Sequence, residues 1–359
     1  MNKYIRKIPI LLIVSSTASM STFADVESDL KRLEQEIATI RQQANIEDKN
    51  IANKDKIGDK SLTIYGTFRP VLTVEDDGTD TITDIRDALS RFGLTGSTSI
   101  LDSSQAFFTG EWNVKIADDG QIEGARLAFV GLSGPLGRVA IGKQRPAQYN
   151  LIAEHVDIFN HASSPFAYDS IAPFFVSNTT SYQFDMNGLG FEATITSDGG
   201  DGKDTADIVN AGISYSIGNM YVATAYLKST NPSAADAKEE GDEKEITALA
   251  GSATMSDLYL AAAYQMVTLM PEIGVDEDVS TLDISASYSL PSRYKVKAGI
   301  FVYDHDDDLQ KYNGFNLTLE RQLTDNVRVH TELLNKTPDQ GDAINGLSFG
   351  IRYDFSADL

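Results

Sequence analysis

The chain has 359 residues, no cysteine and a formal net charge of −22 at neutral pH. The missing thiols exclude a disulfide framework, a thiolate metal site and a cysteine nucleophile, and the acidity argues against nucleic acid as a partner. A single all-β barrel can absorb this length, and past residue 24 no apolar run is long enough for a membrane helix.

Residues 1–24 read as an export signal. Lys3, Arg6 and Lys7 form its charged region, Ile8 to Val14 its apolar core, and Thr22-Phe23-Ala24 a small-residue cleavage site. Losing those three cations leaves the mature chain near −25. Residues 25–57 form a second segment, in which Val26, Leu30, Leu33, Ile37, Ile40, Ala44 and Ile51 fall three and four apart, with a break at Glu47. That is the seam of an amphipathic helix or short coiled coil. At about 1.5 Å per residue it would extend roughly 40 Å. In the periplasm it would trimerise the chain, tether it to peptidoglycan or serve only as a linker, and residues 52–60 read as a hinge.

From Ser61 the hydrophobic period changes to two and stays there to the end. Alternating segments fall near 61–74, 89–101, 103–116, 123–133, 137–144, 178–187, 190–198 and 207–217. Others fall near 219–230, 244–256, 258–269, 278–290, 293–304, 312–322, 325–336 and 344–355. Short connections such as Asn187-Gly188 and Ile217-Gly218-Asn219 alternate with long ones rich in Asp, Glu, Gly and Pro. Long loops kept to one end are expected of an outer-membrane barrel and not of a soluble β-sandwich.

In the last segment Leu347, Phe349, Ile351, Tyr353 and Phe355 share one face, and Ser348, Gly350, Arg352 and Asp354 the other. Charge recurs on the inner face at Glu111, Lys115, Arg126, Asp283, Lys295, Lys297, Glu320, Arg328 and Glu332, which a dry core would not tolerate. The expected fold is therefore all-β: a sixteen-stranded antiparallel transmembrane β-barrel over residues 58–359, preceded by the short N-terminal helix.

Between the segments at 137–144 and 178–187 lies the longest insertion, Lys143 to Ser177. It contains Pro146, Pro165 and Pro173, several aromatics, and the acids Glu154, Asp157 and Asp169. A connection this long without regular structure is usually functional. Inside a closed barrel it would form an inward-folded third loop that narrows the lumen.

Ser90-Arg-Phe-Gly-Leu-Thr-Gly96, Ala125-Arg-Leu-Ala-Phe-Val-Gly-Leu132 and Gly137-Arg-Val-Ala-Ile-Gly-Lys143 resemble the second, fourth and fifth strands of the Gram-negative general diffusion porins. The third of these leads into the long loop, as in that family, and the resemblance runs from Leu62 to Phe355. It implies a homotrimer of sixteen-stranded barrels in the outer membrane, each narrowed by its third loop. It further implies that Arg91 and Arg126 belong to a basic cluster on the wall, faced by Glu154, Asp157 and Asp169 from the loop.

Independently, alternation puts Arg91 and Arg126 on the lumen face, with Phe92, Leu94, Leu127 and Phe129 facing outward. Arg69, on the polar face of the first strand, completes the expected basic wall. Two departures stand out. Ser177 occupies a place where the family often carries another wall arginine, which predicts a less basic gap. The tail Ser356-Ala-Asp-Leu359 extends beyond the terminal aromatic residue.

The expected function is a passive channel for small hydrophilic solutes and ions, weakly cation-selective because acids outnumber bases in its loops. Lipid and lipopolysaccharide are the expected surroundings, and no cofactor or metal is expected. One alternative is a sugar or oligosaccharide channel with Tyr149, Phe159, Phe166, Tyr168, Phe174 and Phe175 as a stacking track. Another is an envelope tether acting through the N-terminal coil.

Gly137 to Gln144 only imitates a phosphate-binding loop, because Gln144 replaces the magnesium-binding hydroxyl and no helix follows. His155, His161, His305 and His330 lack metal-ligand spacing, and no nucleophile–base constellation suggests an enzyme. Asp198, Asp201, Asp204 and the run from Asp304 to Asp308 read as solvated loop acids in preference to calcium or lipopolysaccharide sites.

Overall fold

The computed structural model describes residues 60–101, 103–160, 166–197, 206–230, 243–271 and 274–359. The expected export signal and helical segment, with their boundaries, lie outside the described residues, as do His161, Pro165, Asp198, Asp201 and Asp204.

The period-two stretches become strands because alternation gives each one an apolar face and a polar face. The first half of the sheet holds β1 (Lys60–Phe68), β2 (Pro70–Asp76), β3 (Thr81–Asp87), β4 (Arg91–Leu101), β5 (Ser104–Val114), β6 (Ile122–Gly134), β7 (Gly137–Gln144), β8 (Val176–Met186) and β9 (Leu189–Thr196). The second half holds β10 (Ile208–Ile217), β11 (Met220–Ser229), β12 (Glu243–Met255), β13 (Leu258–Met270), β14 (Glu277–Leu290), β15 (Tyr294–His305), β16 (Tyr312–Gln322), β17 (Val327–Pro338) and β18 (Ile344–Asp358).

β1 and β2 are two halves of one stave. The break falls at Arg69, where Pro70 has no N–H for the ladder and the Arg69 N–H donates to Ser90 Oγ at 2.7 Å. β3 and β4 are likewise one stave, interrupted at residues 88–90. The eighteen segments among the described residues thus make sixteen staves in a single antiparallel sheet.

The sheet closes on itself. β18 pairs with both halves of the first stave, Gly350 opposite Val71 and Phe355 opposite Gly66. The C-terminal tail belongs to this seam, with Ser356, Ala357 and Asp358 opposite Tyr65, Ile64 and Thr63. Leu359 N–H donates to Leu62 O at 2.8 Å.

The outer face is apolar and open. Ile85 is 61% exposed, Val130 60% and Phe349 51%. A belt of such side chains is stable only against lipid or another apolar surface, each contributing about 1.5–3 kcal/mol when removed from water. At one end the connections shrink to tight turns: Asn187 and Gly188 take φ of 53° and 85°, the two positive angles a two-residue hairpin needs.

Candidate functional site

The long loop starts from a bulge. Pairing of β7 with β8 shifts register between Gly142 and Gln144, and Gly142 has φ of +133°. A Cβ at Gly142 would stand 2.1 Å from Ala128 O, so only glycine fits. The Gln144 side chain then pins the departure, donating to Thr179 O at 3.0 Å and accepting from Ser181 Oγ at 2.7 Å. Gln144 also pairs with Val176 across the loop's base. Pro146 precedes the short helix α1 (Ala147–Leu151) with extended backbone angles.

Inside the barrel the loop lies against one side of the wall. α1 and the turn after it bury Ala147, Leu151, Ile152 and Val156 against Ala223, Ala225, Ala248, Ala250, Ala261 and Ala263. This row of small inward residues on β11–β13 leaves room for backbone to approach. Further on, Tyr149, Phe166, Tyr168 and Ile171 pack with Leu227, Ile246, Phe301, Tyr303 and Tyr312.

Charged wall residues supply the polar ties. Asp283 accepts the Ala167 and Tyr168 N–H groups at 2.9 and 3.0 Å. Lys244 donates to Ile171 O at 3.0 Å and Lys297 to Ile158 O at 2.8 Å. Asn160 donates its N–H to Glu332 at 3.1 Å and its Nδ2 to Glu320 at 2.9 Å. Several inward charges are therefore covered by the loop instead of standing in open water. Asp283 is 2% exposed and Glu332 0%, and their cost of burial is offset by hydrogen bonds.

The opposite wall carries the arginines. Glu111 binds Arg126 Nε at 2.8 Å and Arg91 Nε at 3.4 Å, and accepts from Tyr65 OH at 3.1 Å. Asp354 pairs with Arg352 at 2.8 Å and with Arg328 at 2.8 Å, and Arg328 reaches Glu320 at 3.5 Å. Arg69 donates its Nε only to Thr67 Oγ1, at 3.2 Å, and has no carboxylate partner among the described residues.

Arg126 owes its position to a second bulge. Glu111 pairs with Leu127 but Trp112 with Ala125, so Arg126 is the extra residue. The bulge also overturns the outward placement of Leu127 and Phe129. Both line the lumen, and Arg138 lies over the Phe129 ring at 5.5 Å and the Phe107 ring at 4.2 Å. Strict alternation cannot survive an inserted residue.

On the loop, Glu154 opens to the lumen. The protein around it pushes its carboxyl pKa up; Arg145 opposes that shift and Asp157 adds to it. Burial likewise pushes the His155 imidazole down, and its ring stacks on Tyr221 at 3.8 Å. Asp157 accepts Tyr149 OH at 2.6 Å. Asp169 lies on the other side of the loop, next to Ser170, whose hydroxyl meets Tyr312 OH. The loop therefore brings Glu154 and Asp157 together and holds Asp169 apart.

Sequence reasoning missed Arg145. One residue beyond β7, it lies over Tyr149 at 3.7 Å and Phe175 at 4.7 Å, while Arg126 covers Phe175 at 4.6 Å. A cation thus stands close to the place where Ser177 suggested one was lacking. Among the aromatics of the supposed stacking track, Tyr149, Phe166 and Tyr168 are buried in the loop's own core, with Phe159 and Phe174 packed on it. Among the described residues no group of acids and histidines is arranged to hold a metal ion.

A sequence profile of Gram-negative porins matches residues 18–341, and no curated protein sequence matches the chain. The anion-selective porin of Comamonas acidovorans superposes with a TM-score of 0.72 at 18% identity, covering 83% of this chain and 100% of that one. OmpF of Salmonella typhi, solved with daunomycin, gives 0.65 at 16% identity, with 84% and 99% covered. OmpT of Vibrio cholerae in its trimer form gives 0.65 at 16% identity, with 82% and 99% covered. At these identities the superpositions speak for the barrel and its inward loop, and the profile, spanning most of the chain, speaks for the lineage: the chain belongs to the Gram-negative porin family, channel-forming β-barrels of the outer membrane.

Proposed function

We propose that the barrel is a passive, water-filled channel for small hydrophilic solutes and ions, narrowed where the long loop faces the arginine wall. The observation that carries this reading is the one-sided attachment of the loop. Its polar ties run to β9–β17, which supports reading Glu154 and Asp157 as the loop's acids toward Arg69, Arg91 and Arg126, with Arg145 beside Arg126 on the Phe175 ring. Opposed charges in a confined gap order polar solutes and filter ions.

Weak cation preference is the selectivity we infer. Arg91 and Arg126 share the carboxylate of Glu111, and Arg352 and Arg328 share Asp354, so much of the wall's positive charge is compensated. Glu154 stands open, and the chain as a whole is strongly acidic. The test is single-channel recording in a potassium chloride gradient: the reversal potential takes the sign of a cation-selective pore. Absence of conductance sinks the channel reading, and anion preference sinks the selectivity.

A homotrimer is the proposed assembly, supported by the wide apolar outer face and the trimer form of the similar V. cholerae protein. Light scattering of the purified, folded protein checks it. For residues 25–57 we propose a periplasmic coil that reinforces the trimer or reaches peptidoglycan. Deleting it should weaken one of the two, and no change in either would leave it a linker.

A further inference from the structure

At several places on the lumen wall opposite charges touch: Glu111 meets Arg91 and Arg126, Glu320 meets Lys297, and Asp354 meets Arg352. One recess departs from this. It holds about 500 Å³ beneath the first arm of the loop, between β6–β7 and β9–β11. It is lined by two cations, Arg138 and Arg145, and three acids, Glu154, Asp185 and Glu192. Among the described residues, none of Arg138, Arg145, Glu154 and Glu192 has an ion-pair partner.

Each is held by other means. Arg138 donates to Gln183 Oε1 at 3.1 Å and rests on Phe107 and Phe129. Arg145 is sandwiched between Tyr149 and Phe175, and its Nη1 is buried without a hydrogen-bond acceptor. Glu192 is 6% exposed and accepts only neutral donors, Asn150 Nδ2 at 2.6 Å among them. Glu154, on the loop, accepts no hydrogen bond among the described residues. The wall and loop scaffolds thus hold these charges of both signs around one space without a direct ion pair between them.

We propose that this recess is a subsite for small zwitterions, free amino acids or dipeptides, whose carboxylate meets Arg138 and Arg145 and whose ammonium meets Glu192 and Glu154. A solute of one sign finds attraction at one side and repulsion at the other. A zwitterion satisfies both, and charge-assisted hydrogen bonds are the strong ones. At ~30 Å³ per water the recess equals roughly seventeen waters in volume, room for a dipeptide. Leu127, Phe129 and Leu151 supply an apolar margin for its side chains.

This deepens the channel reading and rests on it, so the experiment separates the two. The folded oligomer is recorded in planar bilayers in potassium chloride, first alone and then with glycylglycine, N-acetylglycylglycine or glycylglycinamide. The zwitterion should produce concentration-dependent blocks of the salt current, with each singly charged analogue about tenfold weaker. Glu192→Gln and Arg138→Gln should each weaken the block by about tenfold, and Glu154→Gln, whose carboxylate ties down no structure, gives the same comparison if a wall variant fails to fold.

Equal potency of the three peptides, or block untouched by the substitutions, overturns the subsite while the salt current keeps the channel. If no salt current appears, the channel reading falls. Calorimetric titration of glycylglycine into the detergent-solubilised oligomer then decides the recess: heat of binding that Glu154→Gln abolishes keeps it, and none rejects it.

Discussion

Asp283→Ala should loosen the loop without opening the barrel. Asp283 stands on β14 at 2% exposure, and its two oxygens take the Ala167 and Tyr168 N–H groups at 2.9 and 3.0 Å. Removing the carboxylate leaves two buried donors without acceptors. At about 1–3 kcal/mol for each such group, the attached state loses roughly 2–6 kcal/mol. Even the lower figure shifts the ratio of attached to detached loop by about thirtyfold. Lys244 on Ile171 O and Lys297 on Ile158 O remain, so the loop should make excursions instead of leaving.

Single-channel recording reads this directly, as raised open-channel noise and added substates of higher conductance. The unheated mobility of the protein in a denaturing gel shows that the barrel is intact. Asp283→Asn keeps one carbonyl acceptor and should fall between the two. A folded Asp283→Ala oligomer with a trace indistinguishable from the parent would refute the idea that this carboxylate holds the loop.

Other perturbations bear on the same loop. Gly142→Val should sharply lower the yield of folded oligomer, because the new Cβ would stand 2.1 Å from Ala128 O at a φ of +133°; the folded fraction on an unheated gel is the measure. Ala248→Trp should raise conductance, since the indole would take the space into which Ile152 and Val156 pack, and overpacking costs about 1–3 kcal/mol. Cation preference should decline on acidification. Glu154 has its pKa raised by the desolvating protein around it, with Arg145 opposing and Asp157 adding, so as pH falls it takes up its proton before an ordinary carboxyl near 4.3 does. Glu154→Gln should remove that step from the reversal potential and show weaker cation preference at neutral pH.

The strands were legible because lipid and water impose opposite demands on alternate residues. The last stave shows how far that goes: Leu347, Phe349, Ile351 and Tyr353 do face outward. What alternation cannot report is a break in its own count. The stave breaks at Arg69 and at residues 88–90 involve too few residues to disturb a period. The bulge at Arg126 turned Leu127 and Phe129 to the lumen although their chemistry suits lipid. Gly142 looked like part of a false phosphate loop, while its use is steric. The closing tail is a milder case, since Ser356 to Asp358 carry no apolar pattern, yet the seam with β1 needs only their backbone.

The site was harder to read because its partners are far apart in sequence. Arg145 lies beside a proline in a loop, where no periodicity assigns it a face; only the rings of Tyr149 and Phe175 fix its position. The inner charges have a similar history. Read along each strand, Asp283, Lys297, Glu320 and Glu332 look no different from Glu111 or Arg126. The fold divides them by what lies opposite. Under the loop they meet its backbone N–H and C=O groups and the Asn160 side chain, and become its ties. On the other wall they meet one another or open water. A channel narrowed by its own loop needs both kinds: the loop must be held against the flow it restricts, and the wall it faces must stay charged. Removing a tie should therefore alter noise and gating with little change in selectivity, whereas removing Arg69 or Glu154 should alter selectivity and leave the noise alone. A single recording reports both quantities, so the division can be tested residue by residue.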